Sequence, residues 1–247
     1  METVFSRDRT IVLAGIGALT ALSWFYTIQM SLDVSHMAMG HHGHAHEGFF
    51  YTFIMWSIMM VAMMTPTATP MVLTFARINR KRRNRGQPYV ATSVFLAGYL
   101  VVWVLFSAVA AFAQLELQEI ALVNAMLASS SPIFSGILLL TAGVFQWTPL
   151  KQACLKHCRT PLSFILTDWK EGTTGAFQMG LKHGVFCTVC CWFLMALLFV
   201  LGVMNILWMA LITGITLVEK VVPWGDKFSR VAGVVLGLWG LLILAGI

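Results

Sequence analysis

Five of the seven histidines fall within eleven residues: His36, His41, His42, His44 and His46, with Met37, Met39 and Glu47 among them. Neutral imidazole is a good ligand for copper, zinc and nickel, and thioether sulfur favours Cu(I). His42, His44 and His46 alternate, so an extended backbone places them on one side, and Gly40 and Gly43 let the chain wrap an ion. Short His-rich tracts read as metal-binding, with a solvated linker as the plain alternative. Because the ligands must be deprotonated, such a loop should lose affinity below about pH 6.5.

Immediately downstream, Met55, Met59 and Met63 recur every fourth residue and form one stripe of a helix, with Met60 and Met64 beside it. The stripe runs into Pro66 and Pro70, flanked by Thr65, Thr67 and Thr69. Proline frees backbone carbonyls, threonine re-satisfies them, and a break of this kind often marks a site in transporters. The competing reading is that methionine is simply a flexible packing residue. The Met-x3-Met spacing is similar to that of the high-affinity copper transporter family, which is otherwise shorter and has fewer spans.

All five cysteines and the other two histidines form a third group. Cys154 lies three and four residues before His157 and Cys158. His183 lies four before Cys187, which lies three and four before Cys190 and Cys191. Each set therefore shares a helical face. Together they would suit Cu(I) or zinc, the alternative being that the cysteines are small buried hydrophobes. Lys151, Lys156, Arg159 and Lys182 are the cations expected to favour the thiolate forms. The spacing is not that of a c-type haem site, which needs Cys-x-x-Cys-His; here Cys190 is followed by Cys191.

The elements that position these residues are set by composition. The 247 residues are 58% hydrophobic and 11% charged, against roughly 45–50% and 25% in soluble domains. A mean hydropathy of +0.80 excludes a nucleic-acid-binding or disordered chain. The fold class expected is all-α: a polytopic transmembrane bundle forming a single domain over residues 1–247. Seven spans fit, near 10–30, 49–76, 89–113, 132–150, a fifth starting before Lys182, a sixth after a tight hairpin at 202–205, and 231–247. With the N-terminus inside, segments 1–9, 77–88, 151–182 and 219–230 hold two, six, five and three basic residues, which is all 16. Lys and Arg are retained on the cytoplasmic side, so the His/Met loop at 31–48 and the C-terminus lie outside. The basic loop 77–88 anchors the second helix at the anionic inner leaflet, and the cysteines in and beside 151–182 face the reducing side, where structural disulfides are not expected. The first apolar run reads as an uncleaved helix rather than a signal peptide. Glu219 and Lys220 read as the inner boundary of the sixth helix. No histidine deep in a span argues against b-type haem, and the lack of central carboxylates against a proton pump.

With these motifs in view, the chain resembles the bacterial and archaeal family of predicted metal-binding integral membrane proteins that carry domain of unknown function 2182. The matching features begin with Met55-Trp56 through Met63-Met64-x-Pro66 to Pro70, and Gly98-Tyr99. They continue with Thr148-Pro-Leu-Lys151-x2-Cys154-Leu-x-His157-Cys158-Arg159-x-Pro161. Last come Met179-Gly180-x2-His183-Gly184-x2-Cys187-x2-Cys190-Cys191-Trp192 and Gly202-Val-Met-Asn205. The resemblance covers about residues 49–225 and leaves out the first helix and the His-rich loop. It implies metal binding in the cytoplasmic membrane without an ATP-binding motif or a self-contained catalytic motif.

The function expected is handling of a soft metal ion, copper first and zinc or another transition metal second, across or within the bilayer. The two other classes are a membrane subunit of a copper-containing oxidoreductase and a structural or assembly subunit. The partners expected are the lipid bilayer, the metal ion, and a larger membrane complex or a copper chaperone; nucleic acid is not among them.

Overall fold

The computed structural model describes residues 2–39, 48–124 and 127–246, and their regular structure is α-helix, with one isolated bridge between Val123 and Ser129. In chain order the helices are α1 (Glu2–Met39), α2 (Phe49–Arg83), α3 (Thr92–Glu119), α4 (Pro132–Phe145) and α5 (Pro149–Arg159). They continue with α6 (Pro161–Thr167), α7 (Gly172–Ala196), α8 (Leu198–Leu201), α9 (Ile206–Val221) and α10 (Gly225–Leu244). The fold is an all-α bundle.

All seven stretches expected to be helical are helical. Among the described residues, five helical segments are long and apolar enough to cross a membrane: Arg9–Asp33, Phe49–Arg83, Thr92–Glu119, Gly172–Leu201 and Gly225–Leu244. The other two are shorter. At 1.5 Å per residue, α4 and α9 reach only about 21 and 24 Å, less than the roughly 30 Å of a bilayer core. α4 joins α5 through a 64° bend, and α5 starts where sequence dictates: Pro149 at the first turn, with the Thr148 hydroxyl accepting from the Lys151 N–H at 3.3 Å. That bend swings the Cys154/Cys158 helix against α7.

Three local expectations change. Residues 31–39 continue α1 instead of opening the outer loop, which puts His36 on the backbone of its last turns. α2 stays one helix through Pro66 and Pro70, where a break was expected. Hydroxyl donors gather around these prolines: Thr67 to the Met64 carbonyl (2.9 Å), Thr74 to Pro70 (2.8 Å) and Tyr99 to Met64 (3.1 Å). The 151–182 segment is largely helix packed onto the bundle, with Lys151, Phe164 and Ile165 buried. The hairpin at 202–205 is as expected: Gly202 takes a φ of +96°, and Asn205 caps α9 by accepting from the Trp208 N–H.

Glycines bring α3 and α7 into backbone contact. A Cβ on Gly180 would stand 2.0 Å from the Phe95 carbonyl, and one on Gly98 would stand 2.3 Å from that of Phe177. Small residues of this kind let helix backbones approach closely. This approach sets Tyr99 of α3 beside Cys187 of α7.

Candidate metal centre

α7 supplies one wall of the site. His183, Cys187, Cys190 and Cys191 follow three- and four-residue spacing and are all buried. The Cys190 and Cys191 sulfurs are 3.2 Å apart, and the Cys190 thiol also contacts the Cys187 carbonyl at 3.2 Å. Cys158 of α5 stands near Cys187 and Cys190, and Cys191 near Cys187. The two cysteine groups, 29 or more residues apart in sequence, thus come to one buried region of the bundle. None of the five cysteines is in a disulfide.

Three further helices close around Cys187. The Lys220 ammonium of α9 donates to its sulfur at 2.9 Å and to the Thr67 hydroxyl of α2 at 3.1 Å. The Tyr99 hydroxyl sits 3.2 Å from the same sulfur while donating to the Met64 carbonyl. The Met64 sulfur lies 4.0 Å from the Thr67 hydroxyl, and the Met64 carbonyl and the Cys187 sulfur share the Tyr99 hydroxyl. Met55, Met59, Met60, Met63 and Met64 are all buried, which turns the stripe toward the protein interior.

Beside Lys220 in sequence, Glu219 accepts from Lys151 with both oxygens, at 2.8 and 3.0 Å, and both side chains are wholly buried. A buried ion pair is retained where its geometry and hydrogen bonds offset the loss of water, and two-oxygen acceptance meets that condition. His183 is packed among Phe95, Tyr99 and Phe164, and its Nδ1 is buried without a hydrogen-bond partner among the described residues. It stands one turn before Cys187, and in the tautomer protonated at Nε2 that nitrogen offers a lone pair to a metal.

The sequence-derived candidates divide accordingly. Cys158, Cys187, Cys190 and Cys191 are together, with His183 adjacent and Cys154 buried one turn away on α5. His157 does not join them. One residue before Cys158, it is rotated about 100° around the helix, and it is exposed, its Nδ1 2.9 Å from the Ala153 carbonyl and its ring stacked on Phe186 at 4.2 Å. The cations differ too. Lys151 serves Glu219, Arg159 serves Asp226, and Lys182 serves Asp168; the ammonium on the thiols is Lys220. Glu219 and Lys220 are therefore buried parts of the centre, not a solvated boundary. Their adjacency at the end of an otherwise uncharged run from 206 was the available signal. His41, His42, His44 and His46 lie outside the described residues.

Among the described residues no group of three His, Cys, Asp or Glu side chains stands arranged to hold a metal ion. Chemically the arrangement offers soft, oxygen-poor ligands and one fixed positive charge. No curated protein and no solved structure matches the chain. A family model described as PpoB2, copper chaperone, matches residues 53–243, a stretch that takes in α2 through α10 and every residue of this centre, and the chain belongs to that copper chaperone family.

Proposed function

We propose that the protein is an integral membrane copper chaperone whose four-thiol cluster, Cys158, Cys187, Cys190 and Cys191, receives Cu(I) that passes along the Met55/Met59/Met63 stripe after capture by the His-rich loop. The observation that carries this reading is the meeting of Cys158 from α5 with the α7 cysteines at the end of the buried methionine stripe. The membrane part joins the five long apolar helices to the resemblance with the domain of unknown function 2182 proteins. Large side chains such as Leu105, Val109, Phe112 and Leu207 are exposed on the bundle, as suits a lipid-facing surface. The clustering of Lys and Arg in alternate segments supports an N-terminus and a thiol cluster toward the cytoplasm.

Charge favours Cu(I) as the cargo. Metal capture requires thiolates. Two thiolates and one Cu(I) carry a net charge of minus one, which the Lys220 ammonium cancels. Two thiolates with a divalent zinc ion are neutral already, so the same ammonium would leave a buried positive charge, and uncompensated charge is costly in this setting. His183 stands ready as an added neutral ligand, and Tyr99 and Thr67 hold Cys187 and Lys220 in place.

Metal content of detergent-purified protein tests the proposal. Wild type should retain near-stoichiometric copper, and a Cys158/Cys187/Cys190/Cys191→Ser variant of equal folded yield should lose it. Metal-free wild type after loading with Cu(I), or copper unaffected by the serine changes, overturns it.

A further inference from the structure

At the basic end of α2 a cavity of about 410 Å³ opens between the start of α1, the last turns of α2 and the first turn of α3. Arg77, Arg80 and Arg83 recur every third residue and line it from α2, and Arg9 lines it from α1. The Arg83 guanidinium is set by stacking 4.9 Å over the Tyr89 ring. Thr92 and Ser93, in the first turn of α3, add hydroxyls and helix-start N–H groups. Ile11 and Leu73 give the cavity an apolar side, and no carboxylate is among its described lining residues.

We propose that this cavity binds the phosphate headgroup of an anionic phospholipid, with an acyl chain against Ile11 and Leu73. General attraction of a basic run to a charged leaflet needs no cavity and treats all its residues alike. Here the run is divided. Arg82 faces away, toward Glu171 and over the Trp169 ring at 4.8 Å, while Arg77, Arg80 and Arg83 line the same cavity as an arginine from another helix. Several guanidiniums on one point, next to a helix start, form a phosphate site, and basic pockets between helices at the cytoplasmic face hold lipid headgroups. An apolar wall distinguishes a lipid from free phosphate. The inference rests on the membrane placement proposed above and is independent of copper.

Native mass spectrometry of the full chain released from nanodiscs of mixed phosphatidylglycerol and phosphatidylcholine tests it. Wild type should retain phosphatidylglycerol at least tenfold over phosphatidylcholine. Arg77→Gln/Arg83→Gln should abolish that preference, while Lys81→Gln/Arg85→Gln, with the same charge loss outside the cavity, should keep it. Matching thermal unfolding of the variants shows that folding is intact. Equal loss in both variants, equal retention of the two lipids, or displacement by millimolar inorganic phosphate overturns the lipid site. Failure of the membrane placement itself shows separately, as release of the chain from membranes by carbonate washing.

Discussion

Lys220 is the residue on which the copper reading turns, because it sets the charge of the loaded site. Replacing it with methionine leaves a chain of similar size but removes the ammonium 2.9 Å from Cys187. The two-thiolate Cu(I) complex would then be a buried anion. We expect Lys220→Met to weaken Cu(I) at least tenfold, about 1.4 kcal/mol, in competition against a Cu(I) chelator, and Lys220→Arg to recover most of it. Zinc affinity should hold or rise in Lys220→Met; parallel losses for both metals would make Lys220 a packing residue. The neighbouring pair behaves differently. Lys151→Met strands the Glu219 carboxylate in a wholly buried position, which costs about 3–5 kcal/mol for a broken buried pair. Lys151→Met/Glu219→Leu, with both charges gone, should regain most of the unfolding temperature. Cysteine spacing makes the thiols legible in the sequence, because three- and four-residue periodicity fixes a helical face. Lys220 and Tyr99 are not legible in that way. Their partners lie 33 and 88 residues away, and only tertiary packing brings them to Cys187.

Helix contacts decide whether the thiols and the methionine stripe work together. Gly180 lets α3 rest on α7, and the Tyr99 hydroxyl reaches both Cys187 and the Met64 carbonyl only at that distance. Gly180→Leu, with its first side-chain carbon already 2.0 Å from the Phe95 carbonyl, should force the helices apart and lower bound copper, visible in the same metal measurement. The stripe itself needs a gentler change. Met→Ala in a buried position costs about 2–5 kcal/mol, which confuses loss of sulfur with loss of fold, whereas Met→Leu conserves volume at under about 1.5 kcal/mol. Met59→Leu/Met63→Leu should therefore keep the unfolding temperature nearly unchanged and lower copper accumulation by cells at matched expression. Unchanged accumulation would reduce the stripe to packing. At this scale the sequence located every long helix, because apolar length is a local property. It did not reveal that α2 continues through Pro66 and Pro70, since proline locally favours a break and helix continuity there depends on tertiary packing. Nor did it show the 151–182 region folded onto the bundle, since isolated helices of 11 and 7 residues are stable only through packing.

For the whole molecule, the centre and the His-rich segment occupy separate parts of the chain, and the family match begins at residue 53, after that segment. The described contacts of the buried cluster come from α2, α3, α5, α7 and α9. Capture and holding should then separate experimentally. Removing residues 40–47 shortens a connection between α1 and α2 and leaves the five-helix centre whole, so the purified variant should bind as much copper per chain as wild type. In cells, the same variant should lag only when copper is scarce, where concentration near the loop governs loading, and should match wild type when copper is abundant. Imidazole binds metal in its neutral form, so the advantage of the intact loop should also shrink as the outside medium falls below about pH 6.5. Uptake of radioactive copper at nanomolar and micromolar supply, at pH 7.5 and pH 5.5, reads all of these at once. A deletion that empties the purified protein of copper would show instead that the loop belongs to the holding site, and the division between capture on one face and a thiol store within the helices would fall.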